Sequence, residues 1–121
     1  MKAFSFVSRE LGDQKDAAMF DLRGYIDAHT VIEFERAVNA SIDGGVKSLV
    51  LDLSGLSYIS SAGIGAMMGL ARKLSQRGGD LVLLSPTQKV FAILEGLGFT
   101  KIFKIASSET EALEKLNIKV S

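Results

Sequence analysis

Two runs of this chain, SLVLDLS at 48 to 54 and DLVLLS at 80 to 85, are almost continuously apolar, and each is followed by a stretch of helical spacing that closes on glycines. A strand that is apolar on both sides needs cover on both faces, and helices placed between successive strands supply it through crossover connections. The expected order is β-β-α-β-α-β-α-β-α, an α/β chain whose central sheet is largely parallel. An opening hairpin is read from AFSFV (3 to 7) and AMFDL (18 to 22), which flank the turn-rich LGDQKD.

Local chemistry marks the helix boundaries. Thr30 with Glu33 three residues on reads as a capping box for a helix over 31 to 43, with Phe34, Ala37, Val38 and Ile42 on one face and Gly44-Gly45 as the stop. A second helix is expected over 61 to 77, ended by Gly78-Gly79. Ser85-Pro86 predicts an N-cap and first helical position for a third helix to about 97. KIFKI (101 to 105) reads as a short strand, and Ser108 with Glu111 caps a last helix to about 117.

Composition narrows the chemistry. A chain of 121 residues fits one domain, able to bury about two-thirds of its unfolded surface. Fourteen basic and fourteen acidic residues are scattered along it, so no basic stripe favours a nucleic-acid backbone. The lack of cysteine removes disulfides, zinc-thiolate sites and thiol nucleophiles. A single histidine, His29, leaves nothing to build a Ser/His pair or a histidine metal cluster. No catalytic residue, metal site or cofactor is expected. The opening MKAFSFVSRELGDQKD soon turns polar without an apolar signal core, and no run approaches the ~20 apolar residues of a membrane span. The expectation is a cytoplasmic protein.

The stretch SYISSAGIG at 57 to 65 sets two serines where a buried strand gives way to a glycine-rich helix. On a helical wheel Ile64, Met67, Leu70, Ala71 and Leu74 face the sheet; Gly65, Gly69, Arg72 and Gln76 lie opposite, with Ser61 and Met68 at the margin. An interior glycine weakens a helix by about 1 kcal/mol relative to alanine. Two of them on the outward face point to a shallow groove where another protein's backbone approaches. The serines sit at the positive end of that helix, where free N–H groups favour an anion. A serine here serves as an N-cap or as an acceptor of phosphate, which would add about −1.5 to −2 charges. Asp27 reads as a loop aspartate that binds nearby backbone N–H groups. Met67 is assigned to the core and Met68 to an adaptable surface contact. Asp52 is assigned a strand-end hydrogen bond.

The segment DLSGLSYISSAGIGAMMGLARKL, with GYIDAHT upstream and GGDLVLLSPTQKVFAILEGLGFTKIFKI downstream, resembles the STAS domain family, in particular the bacterial anti-sigma factor antagonists. The resemblance runs from about residue 3 to 116 in the same element order. It implies a single STAS domain over 1 to 121, with a mixed sheet of about five strands and about four helices. It also implies a partner switch. The unmodified antagonist binds an anti-sigma factor that is also a serine kinase, the kinase phosphorylates the antagonist and breaks the complex, and a PP2C-type phosphatase resets it. Laying the pattern Asp-Ser-(Ser/Thr/Ala)-Gly on Ser60-Ser61-Ala62-Gly63 makes Ser61 the acceptor, with Ser60 as the alternative because it stands where the family has an acidic residue. The partner-binding residues expected from wheel and resemblance together are Asp27, Ser60, Gly63, Gly65, Met68, Gly69 and Arg72. A monomer or weak homodimer is expected, with no nucleic-acid or membrane partner. The competing reading is a non-phosphorylated STAS scaffold or transporter-associated subunit in which the serine only caps its helix.

Overall fold

The computed structural model describes residues 3 to 12 and 14 to 118, and within them five strands lie side by side in chain order. β1 (Phe4–Leu11) and β2 (Gln14–Ile26) pair antiparallel as a hairpin. β3 (Ser48–Ile59), β4 (Asp80–Leu84) and β5 (Lys104–Ala106) then add in parallel. Three crossover helices, α1 (Val31–Asp43), α2 (Ser61–Gln76) and α3 (Gln88–Gly96), join the parallel strands, and α4 (Glu109–Lys115) follows β5. The mixed sheet of five strands with four helices is the architecture expected from the sequence.

The two-residue period of the strands divides their side chains between two cores. Phe20, Leu22, Leu49, Leu51, Leu53 and Leu83 turn to one face, where Phe34 and Val38 of α1, Met67 and Leu74 of α2, and Val90 and Leu94 of α3 cover them. Their alternates, among them Ala17, Met19, Val50 and Val82, meet Ala112, Leu113 and Leu116 at the α4 end of the other face. Truncating a fully buried leucine such as Leu51 to alanine is expected to destabilise the fold by about 2–5 kcal/mol.

β2 and β3 outrun their neighbours. Pairing of β3 with β4 stops at Asp52 and Leu84, whereas β2 and β3 continue together to Ile26 and Ile59. Asp52 marks the departure by accepting a hydrogen bond from the Ser54 N–H at 2.9 Å, the kind of local role expected of it. The result is a finger that overhangs β4, with two register shifts; β1 flanks it as far as Gly24, and its tip feeds the turns into α1 and α2.

Several boundaries differ from expectation. The hairpin strands extend well past 3 to 7 and 18 to 22, since backbone pairing continues through polar residues such as Ser8 and Arg23. Gly12, at φ 55°, leads the turn, and residue 13 of the expected turn lies outside the described residues. Thr30 does not cap α1: its backbone is already helical at φ −97° and ψ −14°, and Asp27 holds the turn instead. Ser85 does not cap α3. At φ 48° it turns the chain out of β4, and Thr87 takes the cap, accepting from the Val90 N–H at 3.2 Å and donating to the Leu56 carbonyl at 3.3 Å. The strand expected over 101 to 105 begins only at Lys104, because Phe99–Lys101 wind into a 3-10 turn that drops Phe103 into the core. Ser108 caps α4 as expected, accepting from the Glu111 N–H at 3.1 Å.

Candidate functional site

Ser60 ends the finger in an extended conformation (φ −92°, ψ 172°) and is the N-cap of α2. Its hydroxyl accepts from the Gly63 N–H at 3.3 Å and its carbonyl from the Ile64 N–H at 3.0 Å. Its own N–H donates to the Ile26 carbonyl at 2.8 Å, which ties the tip of β3 to that of β2. Ser60 is half-buried by these contacts. Ser61 follows as the first helical residue, exposed, and its hydroxyl makes no hydrogen bond among the described residues. Geometry thus separates the two hydroxyls: that of Ser60, the alternative acceptor, is engaged in the cap, and that of Ser61, the acceptor implied by the resemblance, is without a hydrogen bond among the described residues at the positive end of a helix of 16 residues.

Residues four apart share a helix face, so the strip leading away from Ser61 runs through Gly65 and Gly69, with Arg72 beside it. All of them are exposed, and a Cβ placed on Gly65 or Gly69 would meet nothing within 4 Å. Among the described residues nothing covers the strip. Met68 is half-buried and packs against the core, so only part of it borders the strip. Gly63 lies elsewhere and corrects the expectation of a surface contact. It is buried, and a Cβ there would come within 2.7 Å of Ile59 Cγ1 and 2.8 Å of Ile26 Cγ2. Its missing side chain lets α2 settle on the end of the finger.

Asp27 stands one residue past the Ile26 carbonyl that receives Ser60. Its Oδ1 accepts from the His29 N–H at 2.8 Å and the Thr30 N–H at 3.0 Å. The His29 N–H holds this carboxyl below its ordinary value of 3.8, against the opposing effect of burial and with lesser help from Thr30. Thr30 is a functional candidate that sequence reasoning misplaced as a helix cap. The usable signal was the spacing Asp27 to Thr30, since an aspartate that bonds backbone groups two and three residues on closes a turn before the helix begins. His29 itself is exposed and takes part through its backbone. Near the tip, the Lys89 ammonium stands 5.6 Å from the centre of the Tyr58 ring, a cation–π contact that no sequence pattern indicated.

Among the described residues no group of three or more His, Cys, Asp or Glu side chains is placed to hold a metal ion, and no helix is long and apolar enough to cross a membrane. The site therefore offers a hydroxyl, a helix terminus and a bare strip, which together suit protein recognition.

An exposed serine on the α2 end of a mixed sheet with this order of elements defines a class. The STAS domain family model matches residues 9–112, and the chain belongs to that family. Its relatives give that membership a direction. Over 91 residues it is 36% identical to BtrV of Bordetella bronchiseptica, described as a candidate anti-sigma factor antagonist, with 75% of this chain and 78% of the relative covered. Over 89 residues it is 33% identical to the anti-sigma-B factor antagonist of Listeria monocytogenes, covering 73% of this chain and 77% of that one. The fold is shared with the anti-sigma factor antagonist SpoIIAA in its unphosphorylated form, at a TM-score of 0.79 and 22% identity over 97% of this chain and all of that one. The phosphorylated form of SpoIIAA, a Bacillus cell fate determinant, matches at a TM-score of 0.68 and 21% identity, with 92% of this chain and 98% of that one covered.

Proposed function

We propose that this chain is an anti-sigma factor antagonist of the cytoplasm, which docks an anti-sigma factor with serine kinase activity against the strip from Ser61 to Arg72 and is released when Ser61 is phosphorylated. A PP2C-type phosphatase then restores the binding form. The observation that carries the reading is the separation of the two serines: Ser60 is engaged in the cap while Ser61 stands exposed at the head of a strip that the described residues leave bare. The names of the relatives support the first half, and SpoIIAA, which has a phosphorylated form, supports the second.

The physics is sufficient. A phosphate on Ser61 finds the unsatisfied N–H groups of the first turn of α2 and the positive end of its dipole, so the fold tolerates it. A docked partner does not, because a dianion pressed into a partly desolvated contact is repelled or left unpaired. A hundredfold loss of affinity requires only about 2.7 kcal/mol. Ser60 in place of the family's acidic residue leaves the acceptor's neighbour uncharged, with its hydroxyl in the cap.

Incubation with the anti-sigma kinase and ATP is expected to add one phosphate, found on Ser61 when the peptide over 54 to 72 is sequenced by mass spectrometry and absent from Ser61→Ala. Ser61→Asp is expected to bind the kinase about a hundredfold more weakly. Phosphate found only on Ser60, or full binding by the aspartate variant, would overturn the proposal.

A further inference from the structure

Thr30 is buried, at 9% exposure, and its polar side chain is the one placed in the interior among the described residues. Its hydroxyl donates to the Tyr25 carbonyl at 2.9 Å and accepts the Asp27 N–H at 2.9 Å. The Asp27 Oδ1 in turn takes the N–H groups of His29 and Thr30, and the Val31 N–H closes on the Asp27 carbonyl at 2.9 Å. Residues 25 to 31 are therefore knotted by two side chains that bind backbone groups and meet each other, with Thr30 Oγ1 3.4 Å from Asp27 Oδ1. Inside the knot sits Ile26. Its carbonyl receives the Ser60 N–H, and its side chain bears on the place where Gly63 lets α2 approach.

We infer that Asp27 and Thr30 are positioning residues: by fixing the Ile26 peptide they set the orientation of the Ser60–Ser61 turn that partner and kinase read. The inference rests on the function proposed above, and it assigns Asp27 a role different from direct contact. Asp27 acts through one neutral-competent acceptor, Oδ1, so its charge is dispensable. Its Oδ2 makes no hydrogen bond among the described residues, which makes a charge contact with the partner the rival explanation. Thr30, only 9% exposed, matters as much as Asp27.

Four variants of the full chain separate the two. Asp27→Asn keeps the acceptor and loses the charge, Asp27→Ala loses both, Thr30→Ser keeps the hydroxyl, and Thr30→Val replaces it with a methyl of the same shape. Two readouts are taken at matched folded fraction by circular dichroism: hydrogen exchange of the Ser60 amide, which needs no partner, and the rate of phosphate incorporation at Ser61. Asp27→Ala and Thr30→Val are expected to speed Ser60 exchange and to slow phosphorylation by about tenfold each, while Asp27→Asn and Thr30→Ser stay within about twofold of the parent. Phosphorylation as poor in Asp27→Asn as in Asp27→Ala, with Thr30→Val unaffected, overturns the inference in favour of a charge contact. If Thr30→Val does not fold, the Asp27 pair decides alone. Exchange as expected in a chain that the kinase never phosphorylates overturns the proposed switch and leaves the coupling standing; Ser60 exchange indifferent to both residues overturns the coupling.

Discussion

Gly63 and Gly65 are two positions apart on α2 and do opposite things. A side chain on Gly63 would collide with Ile59 and Ile26 at under 3 Å, whereas one on Gly65 would point into open space. Inside, the absence of a Cβ brings the helix down onto the tip of the finger, against Ile59 and Ile26. Outside, the same absence keeps a strip bare next to an exposed hydroxyl. Residue type gives the opportunity for close approach, and only the neighbouring elements decide whether the fold or a partner uses it.

The sharpest way to break this contrast is to fill both positions with the same side chain. Gly63→Leu is expected to lower stability by about 3 kcal/mol or more in urea unfolding, because the isoleucines cannot retreat without disturbing the tip. Gly65→Leu is expected to leave the unfolding midpoint unchanged or slightly higher, and to weaken binding of the anti-sigma factor about a hundredfold, or about 2.7 kcal/mol, by occupying the strip. Equal losses of stability from the two variants would end the distinction between an inner and an outer glycine.

The contrast also shows how far the sequence could be read. Continuous apolar runs at 48 to 54 and 80 to 85 define strands covered on both faces, and the wheel of α2 turns Gly65, Gly69 and Arg72 outward, as observed. Those readings depend only on period. What period could not give is the relative length of neighbours. Nothing in SGLSYI announces that β3 stays paired with β2 for seven residues after β4 has stopped, yet that overhang is what turns Gly63 from a surface residue into a packing one. The misplaced caps have a related cause. Thr30 and Ser85 stand where good capping residues belong, but Asp27 closes its turn earlier and the chain leaving β4 must travel two residues further before α3 can start. Competition among equally competent side chains is settled by tertiary geometry.

Smaller effects test the two serines and the outer strip. Ser60→Ala removes the α2 cap and is expected to lower stability by about 1 kcal/mol. Ser61→Ala, which removes a hydroxyl with no partner among the described residues, is expected to change it by less than about 0.5 kcal/mol. Gly69→Ala is expected to raise stability by up to about 1 kcal/mol through helix propensity alone, since its new methyl meets nothing. Thermal unfolding of the three measures all of these, and a Ser61→Ala loss as large as that of Ser60→Ala would reassign the cap.

The smallest expected effect compares the finger tip with the far end of the chain. Asp27 is held below 3.8 chiefly by the His29 N–H, and Glu111 is held below 4.5 chiefly by the Ser107 N–H, which it accepts at 2.7 Å. A depressed carboxyl stabilises the folded state fully above its unfolded value and ceases to do so as pH falls through its folded one. Stability is therefore expected to be flat from neutral pH down to about 5 and to fall below the ordinary carboxylate values, with Asp27→Asn and Glu111→Gln each removing part of that fall. The two groups differ in what they carry with them. Protonating Asp27 weakens the two bonds to its Oδ1 without removing the acceptor, so the NMR signal of the Ser60 amide should shift slightly with it and stop doing so in Asp27→Asn. Protonating Glu111 loosens only the start of α4. A Ser60 signal that follows Glu111 instead would mean that the tip is governed through the body of the sheet and not by its own turn.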